Sequence, residues 1–335
     1  MRRDFSLPQG TIHRIKVQSI ALEANMLDDH TVREVDVYVP HGHDGKDLPL
    51  IVDLAGYTGS GLSRTNWKGF DENVPARLDR LIAKGEMKPC VMAFPDCFTR
   101  LGGNQYINSA AMGNWADFLI KEMLPQVEAQ FGCGGAGKRG VMGKSSGGYA
   151  AMIHGMLYAD TWSAIACHSG DMGFDVAYLP DMPKALRALA KHEGSAEKFV
   201  RAVEENHNPG HDDIHALMIL AMGATYDPDP DAFCGIRLPV DHDTCELDET
   251  RWAEWLKWDP LHVFDDHVDA LKSLKGLWID CGDVDQFNFV YVARRMQSKL
   301  KGAGVDHVYE EFPDDHFSID YRYDRSLPYL ADRLS

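Results

Sequence analysis

One serine flanked by glycines constrains this chain more than any other stretch: Gly143-Lys144-Ser145-Ser146-Gly147. Before it, Lys138-Arg139-Gly140-Val141-Met142 has the makings of a short buried strand. After it, Gly148-Tyr149-Ala150-Ala151-Met152-Ile153 opens a helix of small and apolar residues. The pattern is G-x-S-x-G in a strand–turn–helix setting, where a serine stands exposed on a strained turn. The turn is so tight that side chains two residues either side of the serine would strike the neighbouring strand and helix. Ser146 fits less well, because Lys144 would then occupy a position that needs glycine. Without its flanks the pattern would be an ordinary Gly/Ser-rich turn.

The rest of the chain alternates strands and helices. Thr11 to Ile20 and Thr31 to Val39 alternate apolar and polar residues, with Met26-Leu27-Asp28-Asp29-His30 as the turn, and predict an antiparallel pair with one wet face. Pro49 to Ala55 and Lys88 to Phe94 are near-continuous apolar runs, the mark of parallel strands covered on both faces. Further strands are expected before Ser145, over Trp162 to Cys167, Gly276 to Cys281 and Val305 to Phe312. Helical spacing predicts helices over Asn73 to Lys84, Asn114 to Phe131 with Asn114 as N-cap and Gly132 as stop, Phe287 to Lys301 ended by Gly302, and Arg325 to Leu334. Such β-α alternation predicts an α/β fold with a mostly parallel, doubly wound sheet.

The rhythm changes between Asp171 and Pro260. Short helices are expected over Pro183 to Ala190, Ala196 to Glu205 and Asp213 to Gly223, followed by a break at Asp227-Pro228-Asp229-Pro230-Asp231 and a Trp-rich stretch from Arg251 to Trp258. The expectation is one domain over residues 1–335, with 171–260 as a helical cap inserted over the sheet's C-terminal edge. The alternative is a surface elaboration away from the site. The tryptophans suit core, a carbohydrate platform or a subunit contact, with core the default.

The net charge of -17 argues against nucleic-acid phosphates as partners, while a local positive charge at a site leaves an anionic small substrate open. No apolar run approaches the ~20 residues that span a membrane, and Met1-Arg2-Arg3-Asp4-Phe5 lacks the apolar core of a secretory signal. Seven scattered cysteines without C-x-x-C fit reduced thiols and a cytoplasmic location. No glycine-rich nucleotide loop is present, so no cofactor is expected. His41-Gly42-His43-Asp44 and Asp241-His242-Asp243 lack metal-ligand spacing and read as solvated loops, so no metal is expected.

A serine hydroxyl is a weak nucleophile and needs a histidine base oriented by an acid. Around a nucleophile elbow the chain order is serine, acid, histidine. Cys281-Gly282-Asp283-Val284-Asp285-Gln286-Phe287 follows the Trp278 strand and offers Asp285 as the acid, with Asp283 and then Asp171 as competitors. His316 follows the last strand through Pro313-Asp314-Asp315 and is the expected base, whereas His307 lies too early and His168 is out of order. Two backbone N–H groups should hold the oxyanion: that of Ser146, and that of Tyr57 in the loop Ala55-Gly56-Tyr57-Thr58-Gly59-Ser60-Gly61. Thr58, Gln105, Tyr106, His168 and Phe287 are expected near the substrate, with Arg100 as a further donor or a mere loop anchor. Lys144 is read as a surface or supporting charge paired with an acid, and Cys97 and Cys281 as bystanders.

These segments resemble a known family. Gly140 to Tyr149, the strand Trp162 to Gly170 ending in Ser-Gly, Asp280-Cys281-Gly282-x-x-Asp285-x-Phe287 and the His316 loop are similar to the putative-esterase branch of the α/β-hydrolases, which includes esterase D, feruloyl and acetyl-xylan esterases, enterochelin esterases and mycolyltransferases. The resemblance runs from about Leu48 to Ser169 and from about Asp259 to the end. It implies a metal-independent serine esterase with Ser145, Asp285 and His316 as its triad; substrate specificity does not carry over, and the expected substrate is a small or carbohydrate-type ester. This chain has Ala55-Gly56 where the family has His-Gly, Lys144 and Ser146 where it has His and Met around the serine, and Asp314-Asp315 where it has Gly-Gly before the histidine. Acyl transfer, amide hydrolysis and binding without chemistry remain the alternatives. The acyl group, the alcohol and the oligomeric state are not legible.

Overall fold

The computed structural model describes residue 4 and residues 6–335; residues 1–3 and 5, part of the N-terminal stretch read above, lie outside the described residues. Eight strands of the described residues form the main sheet: β1 (Thr11–Gln18), β2 (Val32–Val39), β3 (Leu50–Leu54), β4 (Val91–Pro95), β5 (Arg139–Lys144), β6 (Ala164–His168), β7 (Gly276–Gly282) and β8 (Val308–Phe312). Their order is β1-β2-β4-β3-β5-β6-β7-β8. β2 pairs antiparallel with β1 and β4, and every other neighbour is parallel.

The apolar runs explain the layering. Side chains alternate across a strand, so Leu50, Val52 and Leu54 of β3 and Val141 of β5 join one core layer, while Ile51 and Met142 join the other. Helices α2 (Trp115–Phe131), α3 (Ser146–Leu157) and α8 (Phe289–Ala303) cover the first face. Helices α1 (Val74–Ala83) and α9 (Tyr323–Leu334) cover the second. β1 lies at the edge; its second half alternates as expected, with Ile15 and Val17 buried, while Thr11 to Arg14 are exposed throughout, Ile12 included.

Three helix ends differ from expectation. α2 contains a π-helical stretch, Phe118–Met123, just before Pro125, whose ring nitrogen has no hydrogen to give the preceding turn. Asn114 does not cap α2 with its side chain; Asn108 Oδ1 instead accepts from Asp117 N at 3.1 Å. α8 begins at Phe289, because Asn288 sits at φ 64°, and ends at Gly304 with φ 68° rather than at Gly302. Asn73 does cap α1, and Gly132 ends α2 at φ 66°.

Between β6 and β7 the chain adds no strand to the main sheet. It forms α4 (Met182–Ala190), α5 (Ala196–Glu205), α6 (His211–Tyr226) and α7 (Glu249–Leu256). Trp252 and Trp255 are buried, and Trp255 packs on Tyr226 and Tyr178. No helix of the described residues is long and apolar enough to cross a membrane.

Candidate active site

Parallel strands deliver their following loops to one edge of a sheet, where such folds bind ligands. Here the loops after β3, β5, β7 and β8 carry Tyr57, Ser145, Asp285 and His316 to that edge. All but Asp285 line one cavity of about 350 Å³.

Ser145 adopts φ 59°, ψ -122°, between the end of β5 and the first turn of α3. A non-glycine residue held there carries strain of ~1–3 kcal/mol. Two backbone bonds keep it in place: Ser145 N donates to His168 O at 2.9 Å, and Tyr149 N donates to Ser145 O at 2.8 Å. The glycines are obligatory. A Cβ at Gly143 would lie 2.4 Å from Leu54 O, and one at Gly147 only 1.8 Å from the same oxygen.

His316 Nδ1 lies 2.7 Å from Asp285 Oδ2. Asp285 is 5% exposed, and its other oxygen accepts from Phe287 N at 2.9 Å. His316 is held further by Gln286, whose Oε1 accepts His316 N at 2.9 Å, and by edge-on packing against Phe287 with ring centres 4.8 Å apart. Asp283, the rival acid, is exposed.

Asp171 takes another place. It is buried, and Ser145 Oγ donates to its Oδ1 at 3.3 Å, while Ser146 Oγ and Tyr178 OH donate to Oδ2 at 3.2 and 3.1 Å. Burial pushes its carboxyl above the ordinary range. Asp171 therefore touches the serine, not the histidine ring.

The loop after β3 presses on the elbow: a Cβ on Gly56 would lie 3.3 Å from Ser145 Cβ. Tyr57 buries its ring there and donates its hydroxyl to Leu101 O at 2.5 Å. Neither the N–H of Tyr57 nor that of Ser146 finds an acceptor among the described residues.

Of the residues expected at the substrate, Thr58 and Phe287 line the cavity. Three others lie elsewhere. Gln105 is buried and donates Nε2 to Ser146 Oγ at 2.9 Å, so it supports the elbow from below. Tyr106 turns inward at φ 60° and donates its hydroxyl to Ala55 O at 2.6 Å. His168 is wholly buried on the second face of the sheet, where Nδ1 meets Asp280 Oδ1 at 2.6 Å and Nε2 meets Ser326 Oγ at 2.9 Å. Arg100 anchors its loop to Glu204 of α5 at 2.6 Å.

The remaining wall comes from α6: His211, Ile214, His215 and Met218. These stand at i, i+3, i+4 and i+7, a stripe on one helix face. That spacing is visible in the sequence, but which face meets the cavity is a tertiary fact. His211, His215 and Phe287 stack in series, with ring centres 6.1 and 6.0 Å apart, and His215 is fixed by Asp181 at 2.6 Å. Lys144 also lines the cavity, its ammonium 5.6 Å from the Phe317 ring centre. It forms no ion pair among the described residues, contrary to the pairing expected from sequence.

Among the described residues no three His, Cys, Asp or Glu side chains gather as metal ligands. Cys97 and Cys281 are buried, and burial holds both thiols above their ordinary range.

The geometry has many counterparts among solved structures. A ferulic acid esterase superposes with a TM-score of 0.61 at 18% identity, covering 97% of this chain and 99% of that one. A ferulic acid esterase from Anaeromyces mucronatus, in complex with ferulic acid, gives 0.56 at 16% identity over 99% and 94% of the two chains. An S-formylglutathione hydrolase from Agrobacterium tumefaciens gives 0.57 at 16% identity over 98% and 96%. At these identities the likeness is one of fold, the α/β-hydrolase fold. No curated protein sequence matches the chain. The family model described as "Putative esterase" matches residues 30–324, nearly the whole length, and the chain therefore belongs to that family of serine hydrolases acting on carboxylic esters.

Proposed function

We propose that this protein hydrolyses a small carboxylic ester through an acyl-enzyme on Ser145. The observation that carries the reading is the 2.7 Å contact between His316 Nδ1 and Asp285, made in the loop beside a strained serine. With Nδ1 committed to the carboxylate, Nε2 is the nitrogen left to take a proton. Ser145 Oγ turns from Asp171 to His316, gives up its proton and attacks the ester carbonyl. The oxyanion takes the free N–H groups of Tyr57 and Ser146. His316 returns the proton to the leaving alcohol, and water repeats the cycle on the acyl-enzyme.

The cavity of about 350 Å³ suits a small substrate, and the aromatic wall supports a flat or apolar portion. The α6 stripe on that wall supports reading residues 171–260 as a cap over the site. Seven unpaired cysteines, six of them buried, support a reducing compartment such as the cytoplasm.

The test is fluorophosphonate labelling together with p-nitrophenyl acetate turnover, wild type against Ser145→Ala. The variant is expected to lose both. Labelling that persists in Ser145→Ala would refute the assignment.

A further inference from the structure

The chain carries 51 Asp and Glu against 34 Lys and Arg. The cavity around Ser145 reverses that balance. None of its wall residues is an aspartate or glutamate; the charged or protonatable nitrogens there belong to Arg64, Lys144, His211, His215 and His316. Arg64 is already neutralised by Asp53 and Asp320, at 3.3 and 3.4 Å, and donates to Tyr323 OH at 3.0 Å. His316 and His215 are occupied by Asp285 and Asp181.

Lys144 is different. It is partly buried, and its nearest acids are engaged elsewhere: Asp320 with Lys68 at 2.7 Å, Asp285 with His316, and Asp315 with the backbone N–H of Phe317 at 2.7 Å. Its ammonium lies 5.6 Å from the ring centre of Phe317 and forms no hydrogen bond or ion pair among the described residues. Burial, with the Arg64 charge nearby, holds its pKa below the usual lysine value even though Asp320, Asp285 and Asp315 pull it up. Leaving a charge half out of water without a partner is costly unless a ligand supplies the partner.

We propose that Lys144 is the specificity-determining residue of this site, and that the preferred ester carries a carboxylate within one side chain's reach of the carbonyl attacked by Ser145. The inference rests on the reading of Ser145 as nucleophile and deepens it. Because Lys144 immediately precedes Ser145, the carboxylate of the bound ester lies only a few bonds from the scissile one. The neighbouring cavity shares His211, His215, Phe287 and Phe317 and adds both Lys184 and Asp181, so its charge is mixed.

The experiment compares matched esters that differ only in charge. 3-Acetoxybenzoate against 3-acetoxybenzamide places the charge on the alcohol side; monomethyl adipate against methyl adipamate places it on the acyl side. The readout is the ratio of kcat/KM, anionic over neutral, within each enzyme. Wild type is expected to favour the carboxylate by about tenfold to a hundredfold in one of the two pairs, the worth of a charge-assisted hydrogen bond. Lys144→Arg should retain the preference; Lys144→Met and Lys144→Gln should bring the ratio to one or below. Ratios near one for both pairs in wild type, or a preference that survives in either neutral variant, overturn the proposal.

A binding arm separates this inference from the esterase reading. Calorimetric titration of 3-acetamidobenzoate and 3-acetamidobenzamide needs no turnover. Lys144-dependent binding of the carboxylate by a protein that hydrolyses none of the esters sinks the esterase reading and keeps the anion site. Turnover of both esters alike, with no preference in binding, does the reverse.

Discussion

Ser145 Oγ donates to Asp171 at 3.3 Å, while the ring of His316 is held by a different carboxylate, Asp285, at 2.7 Å. One buried acid therefore touches the serine and another the histidine. Asp285→Asn should lower kcat by about 10⁴-fold, because the amide no longer fixes the imidazole tautomer or balances its charge. Asp171→Asn keeps an acceptor for the serine and should cost no more than about tenfold. Steady-state kinetics on one ester decides between them, and the reverse ranking would make Asp171 the triad acid.

A continuous Ser-His-Asp hydrogen-bonded array lies elsewhere in the protein. Ser326, His168 and Asp280 are linked at 2.9 and 2.6 Å, and all three are fully buried between β6, β7 and α9. Arg322 adds its Nε to Asp280 at 3.1 Å. With no substrate access this array is a structural tie. Ser326→Ala should leave fluorophosphonate labelling intact while lowering stability by about 1–3 kcal/mol, the cost of an unpaired buried nitrogen on His168. Peptide mapping of the labelled protein and urea unfolding read the two outcomes; a label found on Ser326 would contradict this account.

Burial lowers the pKa of His154 from 6.5 to about 4. Its Nε2 meets Tyr106 O at 2.8 Å and its Nδ1 accepts from Trp162 at 3.0 Å, so both nitrogens are used by the neutral ring. The unfolded chain binds this proton below pH 6.5, but the folded protein only below about 4. The stabilisation is thus complete above pH 6.5 and is lost progressively as pH falls to about 4, some ~3 kcal/mol in all. His154→Gln, which keeps a donor for Tyr106 O, should flatten the slope of unfolding free energy against pH in that window by one proton's worth. An unchanged slope would show that other groups govern it.

Six of the seven cysteines are buried, and only Cys245 is partly accessible. A thiol reagent such as dithionitrobenzoate should modify one cysteine per native chain, at Cys245, and leave esterase turnover intact. Modification of Cys97 or Cys281 with loss of turnover would reopen a role for a thiol at the site.

The parts legible in the sequence are those that depend on neighbours along the chain. Leu50 to Leu54 reads as a strand because it is apolar throughout, and the elbow reads as an elbow because Gly143 and Gly147 meet the same carbonyl oxygen. The order serine, acid, histidine points to Asp285 and His316, which the fold brings into contact. What was not legible depends on which way a side chain turns. His168 ends a strand at the right edge, yet strand alternation sends it to the opposite face, against Tyr323. Gln105 and Tyr106 sit in the right loop, yet both turn inward, Tyr106 by its positive φ. The sequence suggests a carboxylate partner for Lys144; in a chain so rich in acid, its lack of an ion pair emerges only in three dimensions.

The helix that brings His211 and His215 to the cavity enters between β6 and β7 and supplies none of Ser145, Asp285 or His316. Part of the cavity wall is thereby encoded in a length of chain separate from the proposed reacting groups, while Lys144 lies beside them. Substitutions along one face of that single helix can reshape this wall while the proposed reacting groups stay as they are, so the shape the cavity admits is free to drift while the charge that Lys144 brings is tied to the turn that holds Ser145.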